Sequence, residues 1–177
     1  SLPMFDRCLQ GQYSPGAAFI PFTALAGVSA GVGERPFDCT GSVNYNGKTF
    51  RCWIASQNKP GHGTLGVSSA IVASCNCYWY QFGNAAGPDA FVKMGHRIGI
   101  GEATGVIEHE AKGELPSPDW LAAKSGSTEK WTPGQMAYLA IGQGRLLTTP
   151  LQLAVLAATI GNGGKVPTAT LPRLERE

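Results

Sequence analysis

Residues 148–164 constrain the fold more than any other part of the chain. A threonine before Pro150, which stands at the first helical position, and glycines after Ile160 mark the two ends of a helix. The residues between these signals are apolar almost all round, so the sequence predicts a buried helix. A hydrophobic content of 43% is sufficient to build a core around it.

The remaining segments predict a single, mainly α domain over residues 1–177 with one small β-hairpin. Asn46-Gly47 stands between alternating segments and favours a tight hairpin turn. Apolar spacing predicts further helices, the first of which ends at Gly31. Residues 99–130 are expected to be rich in loops, and the charged tail 171–177 is expected to fray. The predicted additional helices cover residues 17–30, 66–82 and 89–98.

Composition and charge exclude several classes of partner. The net charge is only +2 and charged residues make up 15% of the chain, so the sequence gives no basis for binding nucleic acid or an anionic membrane surface. No apolar run approaches the roughly 18 residues that a membrane span requires.

Several short segments occur in a fixed order, and together they carry a family resemblance. The most specific are Gly142-Gln143-Gly144 and the run Thr149-Pro150-Leu151-Gln152 that follows them. The chain resembles the transpeptidase domain of class B penicillin-binding proteins of the penicillin-binding protein 2 type. This resemblance implies the helical portion of the transpeptidase fold, which is also that of the serine β-lactamases. The other matching segments are Gln12-Tyr13-Ser14-Pro15-Gly16, Phe22-Thr23-Ala24-Leu25-Ala26-Gly27, Phe50-Arg51-Cys52-Trp53, Gly61-His62-Gly63, Ser74-Cys75-Asn76, Thr104-Gly105 and Leu115-Pro116-Ser117.

The resemblance also identifies where catalytic residues are expected. In that family a Ser-x-x-Lys motif supplies the nucleophile and a lysine that helps to deprotonate it. Here Ala17 and Ile20 occupy those two positions, and neither side chain can perform that chemistry. The Ser-x-Asn motif survives as Ser74 and Asn76, which the resemblance implies as a remnant of the substrate-binding site. No Lys-Thr-Gly sequence occurs in the chain.

These losses predict a degenerate, non-catalytic domain with a structural or binding role. One alternative is an altered or shortened form of an active peptidoglycan D,D-transpeptidase that binds penicillin, and another is a small zinc-stabilised interaction domain. The resemblance implies a peptidoglycan stem peptide or a β-lactam as ligand and cell-wall elongation proteins as partners. It also implies an extracytoplasmic location, on the periplasmic side of the inner membrane, within a membrane-anchored parent protein. An isolated helical half that exposes apolar surface is expected to form a homo-oligomer.

Three cysteines and one histidine form a second group of candidate site residues. Cys39, Cys52, His62 and Cys75 follow the spacing Cys-x12-Cys-x9-His-x12-Cys. Three thiolates and one imidazole make a closed tetrahedral zinc set, although the spacing is not that of a standard finger. The family resemblance supports structural Zn2+ at these positions. The alternatives are a disulfide between Cys39 and Cys52, an inert buried Cys75, and a His62 that serves only the glycine loop.

The other reactive side chains are expected to have no catalytic role. Cys77 is predicted to lie in the core and Cys8 to be exposed and free. Glu108 and Glu110 belong to a group of carboxylates for which a solvated acidic loop is the better interpretation than an acid–base pair. Ser14 precedes Pro15 outside the predicted helix, which disfavours it as a substitute nucleophile.

Overall fold

The computed structural model describes residues 5–126 and 129–171, and within these ranges the chain is mainly helical with four short strands. The helices are α1 (Ile20–Ser29), α2 (Val67–Val72), α3 (Asn76–Ala86), α4 (Pro88–Ile98), α5 (Pro118–Ser125), α6 (Pro133–Ala140) and α7 (Pro150–Gly161). The strands are β1 (Phe37–Cys39), β2 (Ser42–Tyr45), β3 (Lys48–Arg51) and β4 (Gly63–Leu65). The mainly α prediction with a small hairpin is therefore confirmed for the described residues.

Helix α3 forms the centre of the core and packs against α6, α1, α4 and β1. Cys77, Tyr78, Trp79 and Phe82 on this helix are almost completely buried, and for Cys77 this confirms the predicted core position. Gly83 lets α3 approach α6 closely, because a Cβ at this position would lie 2.4 Å from the Cβ of Ala140. The close approach brings the apolar faces of the two helices together and positions the segment that precedes α3.

The strands form two antiparallel pairs that pack against α3. Strands β2 and β3 form the predicted hairpin, and Asn46 and Gly47 have φ angles of 52° and 81° in its turn. Two successive positive φ angles are typical of the tight turn that an Asn-Gly pair favours. Strand β1 pairs with β4 so that Cys39 lies opposite Gly63. This register places the His62 loop beside Cys39.

The prediction of one continuous helix over residues 66–82 is wrong. Helix α2 ends at Val72, and α3 begins at Asn76. Ser74 between them has a φ of 47°, a left-handed conformation that no helix contains. The thiol of Cys75 then caps α3 by accepting the backbone N–H of Tyr78 at 3.5 Å. Apolar periodicity continues across this break, and for that reason spacing alone did not reveal it.

The predictions for the first helix and for residues 99–130 need smaller corrections. The first helix begins with a 3-10 turn over Gly16–Phe19 before α1 starts at Ile20. Within the expected loop region, α5 forms because Ser117 caps it and Pro118 stands at its first position. Helix α4 agrees with its predicted range within one residue.

Helix α7 has the predicted ends, but only one of its faces is buried. Thr149 accepts the backbone N–H of Gln152 and caps the helix as expected. Gln152 and Leu156 face the interior, whereas Ile160 is 44% exposed. The apolar composition therefore overstated the burial of α7 among the described residues. The described helices include none that is both long and apolar enough to cross a membrane. Residues 172–177 of the tail that was expected to fray lie outside the described ranges.

Candidate functional site

The positions at which a nucleophile and its lysine were expected line a cleft between several elements. Ala17 lies in the 3-10 turn and Ile20 begins α1, while Ser74 and Asn76 lie across from them in the α2–α3 connection and at the start of α3. The structure therefore brings all four predicted cleft residues together around a cavity of about 280 Å³. The complete lining consists of Ala17, Ile20, Pro21, Ile71, Ser74, Asn76, Trp79, Ile141 and Gln143.

No residue in this lining carries an ionisable side chain. The lining combines apolar side chains with the polar side chains of Ser74, Asn76 and Gln143. Among the described residues, none of the three side chains makes a hydrogen bond to another residue. The cleft therefore offers a hydroxyl and two amides to a ligand, without an acid or base beside them.

Ser14 is excluded as a substitute nucleophile by its contacts. Its hydroxyl donates to the carbonyl oxygen of Gly142 at 2.8 Å, and the N–H of Gly16 donates to the same oxygen at 2.8 Å. These bonds hold the 3-10 turn against the segment that carries Gln143. Ser14 is not among the residues that line the cavity.

The second group of candidate residues forms a compact cluster behind Ser74. The Sγ atoms of Cys39, Cys52 and Cys75 and a ring nitrogen of His62 all lie within 4.8 Å of one another. Nδ1 of His62 lies 3.5 Å from Cys39 Sγ and 3.6 Å from Cys52 Sγ, and the sulfurs of Cys52 and Cys75 are 3.9 Å apart. All three cysteines are buried and are free thiols in the structure.

The surroundings of the cluster lower the pKa of one thiol and raise the pKa of another. Burial opposes ionisation of Cys39, but hydrogen bonds from the backbone N–H groups of His62 and Gly41 outweigh it and lower the pKa of this thiol to about 6. The pKa of Cys75 is raised by burial and by the thiols of Cys39 and Cys52 beside it. Several thiolates in this space would repel one another, and a bound cation offsets that repulsion.

The donor set and its spacing fit zinc. Zn–S bonds of about 2.3 Å and Zn–N bonds of about 2.0 Å place the ligand atoms of a tetrahedron roughly 3.5–3.8 Å apart. Three of the six separations, at 3.5, 3.6 and 3.9 Å, are close to these values, and all six are within 4.8 Å. Four protein ligands would leave no open position for water, which is the pattern of a structural site.

Two residues near these sites were part of the quoted motifs but had no assigned role. Gln143 lines the cleft. Its position between two glycines, both of which have positive φ angles, is the sequence signal that could have identified it. Trp53 directly follows the ligand Cys52, and its indole nitrogen lies 3.0 Å from the carbonyl oxygen of Ser74. Its contact with the cluster depends on the tertiary fold and has no signature in the sequence.

The remaining predictions for reactive residues are largely confirmed. Cys77 is completely buried in α3, and Cys8 is exposed. Glu110 differs from the expected solvated carboxylate because it accepts the backbone N–H groups of its own loop from Thr104 to Ile107. It therefore closes a loop and does not form an acid–base pair.

Comparison with known proteins places these features in a family. The sequence model of the penicillin binding protein transpeptidase domain matches residues 2–174. Peptidoglycan D,D-transpeptidase MrdA from Acinetobacter baumannii is 34% identical over 167 residues, which cover 92% of this chain and 24% of that protein. MrdA from Escherichia coli K12 is 31% identical over 173 residues, which cover 93% of this chain and 26% of that protein. The chain thus spans about a quarter of the length of these curated relatives.

Solved structures show the same fold. PBP2 from Pseudomonas aeruginosa in complex with WCK 5153 superposes with a TM-score of 0.85 at 30% identity, over 99% of this chain and 41% of that chain. PBP2 from Helicobacter pylori in complex with MreC gives a TM-score of 0.83 at 27% identity, over 95% of this chain and 31% of that chain. These similarities confirm the predicted helical portion of the transpeptidase fold. The chain belongs to the penicillin-binding protein transpeptidase domain family.

Proposed function

We propose that this chain is a non-catalytic, penicillin-binding protein 2-like domain that serves peptidoglycan synthesis in a structural or binding role. The observation that carries the proposal is the cleft itself. Ala17 and Ile20 stand where the family resemblance places the nucleophile and the lysine, and the lining provides no ionisable side chain in their place. Loss of an essential nucleophile alone lowers the rate by roughly 10⁶, so little turnover would remain.

The cleft nevertheless retains the groups needed to bind an amide. Ser74, Asn76 and Gln143 present hydrogen-bonding side chains, and Ile20 and Ile141 contribute apolar surface. A peptidoglycan stem peptide or a β-lactam has both peptide-like carbonyl groups and small apolar substituents. Such a ligand would be held non-covalently, since the side chain of Ala17 cannot be acylated.

Structural zinc at Cys39, Cys52, His62 and Cys75 is the second part of the proposal. The closed donor set and its tetrahedral spacing support it. The ion would join the β1–β4 pair and the end of the hairpin to the start of α3. It would thereby hold Ser74, which precedes the ligand Cys75, in position at the edge of the cleft.

The relatives indicate where such a domain would act. One solved structure with the same fold contains PBP2 with MreC, and another is described as a peptidoglycan synthase complex for polymerization and crosslinking. We extend this to the present chain as a role beside cell-wall elongation proteins, on the periplasmic side of the inner membrane and within a membrane-anchored protein.

Native mass spectrometry after incubation with benzylpenicillin tests the loss of catalysis. We expect no covalent adduct on the wild-type chain, because no activated nucleophile faces the cleft. The Ser74→Ala variant serves as a matched control, since Ser74 carries the one hydroxyl in the lining. An adduct on the wild-type chain that is absent from this variant would contradict the proposal.

The second candidate is an altered form of an active peptidoglycan D,D-transpeptidase. The exposed hydroxyl of Ser74 and the amide of Asn76, which has no side-chain hydrogen bond within residues 5–126 and 129–171, favour it, because both groups are open to a ligand although the nucleophile is absent. This candidate predicts that the double substitution Ala17→Ser and Ile20→Lys restores acylation by benzylpenicillin. No adduct on the double variant would favour the non-catalytic candidate.

A further inference from the structure

Trp53 contacts both the cysteine–histidine cluster and the edge of the cleft. Its indole N–H donates to the carbonyl oxygens of Ala73 and Ser74, at 3.1 and 3.0 Å. Its ring centroid lies 5.3 Å from that of His62. Because Trp53 directly follows Cys52, one side chain connects the segments that carry three of the four cluster ligands.

The hydrogen bonds of Trp53 act on a strained turn. Ser74 has a φ of 47°, which is uncommon for a residue with a side chain and persists only where the surroundings enforce it. The next residue is Cys75, whose N–H donates to Ala70 and whose thiol belongs to the cluster. The indole N–H therefore binds the carbonyl groups of the two residues that directly precede Cys75.

The ring of Trp53 acts on the imidazole. His62 lies between Gly61 and Gly63, and the loop backbone packs closely against β1, since a Cβ on Gly61 would lie 2.0 Å from the carbonyl oxygen of Cys39. The indole packs against the imidazole at an interplanar angle of 57°, while Nδ1 of His62 faces two cysteine sulfurs. Groups that orient a metal ligand in this way typically change metal affinity by about 10- to 100-fold when removed.

We infer that Trp53 is a positioning residue that holds His62 and the Ser74–Cys75 turn in the arrangement a metal ion requires. The inference rests on the proposed zinc site and names a residue outside its ligand set. Since Ser74 also lines the cleft, the same contact links occupancy of the cluster to the geometry of the cleft wall. Trp53 is 42% exposed, so its packing alone does not require an indole at this position.

Two substitutions separate the hydrogen bonds from the ring contact. Trp53→Phe keeps an aromatic ring but removes the indole N–H, and Trp53→Leu removes both. Trp120→Phe is the matched control, because Trp120 also donates an indole hydrogen bond, to Glu114 in a different part of the fold. Zinc dissociation constants are measured by competition with a chromophoric chelator, and the absorption spectrum of the Co2+-substituted protein reports ligand geometry.

We expect the wild-type chain and all three variants to bind one ion. The zinc Kd should rise about tenfold in Trp53→Phe and further in Trp53→Leu, with altered cobalt bands, and should change less than about twofold in Trp120→Phe. Zinc affinity equal to that of the wild-type chain in both Trp53→Phe and Trp53→Leu would overturn the role of Trp53 and leave the zinc site itself standing. The role of Trp53 would also be overturned if its variants lost the same amount of thermal stability with and without zinc while their zinc Kd stayed unchanged. A wild-type chain that binds neither ion would overturn the proposed zinc site and, with it, this inference.

Discussion

The sulfur of Cys52 lies 3.9 Å from that of Cys75, although the two residues are 23 positions apart in the sequence. Cys52 follows the end of strand β3, and Cys75 stands in the break between α2 and α3. Their proximity therefore depends on the left-handed turn at Ser74, which a continuous helix would abolish. The sequence-based helix assignment missed this turn, which brings Cys75 to the other members of the cluster.

Removal of zinc should destabilise the fold. A chelator is expected to lower the unfolding temperature by about 10 °C, because a ligand present at about a thousand times its Kd contributes about 4 kcal/mol. Differential scanning fluorimetry with and without the chelator measures the shift. The Cys8→Ser variant, which changes an exposed cysteine outside the cluster, should shift to the same extent. An unshifted melting curve together with a disulfide between Cys39 and Cys52 would exclude the zinc site.

Local signals accounted for much of the fold. The Asn46-Gly47 turn and the threonine cap of α7 depend on short-range chemistry, and both appear in the structure as predicted. The family resemblance named Ala17, Ile20, Ser74 and Asn76, and these four residues line one cavity, while their role stays a prediction. The prediction of a single domain over residues 1–177 is not tested and stays a prediction.

The features that escaped prediction depend on contacts between distant residues. The exposed face of α7 is apolar in sequence, so composition could not distinguish it from the buried face. The contact between Trp53 and His62 requires the β1–β4 register, and the loop around Glu110 requires four backbone N–H groups to converge. No spacing rule contains that information.

Gly142 should not tolerate a side chain. It has a φ of 71°, and an added Cβ would lie 2.1 Å from the carbonyl oxygen of Gly16. Gly142→Ala is expected to lower the free energy of unfolding by about 3 kcal/mol or more, through strain and steric overlap. Urea denaturation measures the loss. Gly161→Ala is the control, because a Cβ there meets open space at the end of α7 and should leave stability within about 0.5 kcal/mol.

Glu110 should contribute to the stability of the chain at neutral pH and lose this contribution in acid. Partial burial opposes its ionisation, but hydrogen bonds from Ile107, Thr104 and Val106 outweigh that effect and lower the pKa of its carboxyl group. A lowered folded-state pKa adds stability above the unfolded value near about 4.3, and this stability is lost as the pH falls through the folded pKa. Glu110→Gln should therefore lower the free energy of unfolding by about 1 kcal/mol at neutral pH, a value that allows for solvent screening, and progressively less below about pH 4.

Urea denaturation at several pH values measures this difference. Glu108→Gln is the matched control, because Glu108 is an exposed carboxylate in the same loop. It should leave the free energy of unfolding within about 0.5 kcal/mol of the wild-type value throughout. A constant difference between Glu110→Gln and the wild-type chain from neutral to acid pH would contradict the assignment.

Gln152 should contribute far more stability than its position on a helix suggests. Its side-chain N–H groups donate to the carbonyl oxygens of Gly99, Glu102 and Lys112, and its side-chain oxygen accepts the N–H of Thr149. Gln152→Leu leaves these groups without their hydrogen-bond partner and should lower the free energy of unfolding by about 3 kcal/mol, as measured by urea denaturation. Gln135→Leu, at the equivalent capping position of α6 but partly exposed, should cost about 1 kcal/mol. Equal losses would show that capping alone explains the effect, because both glutamines make that contact.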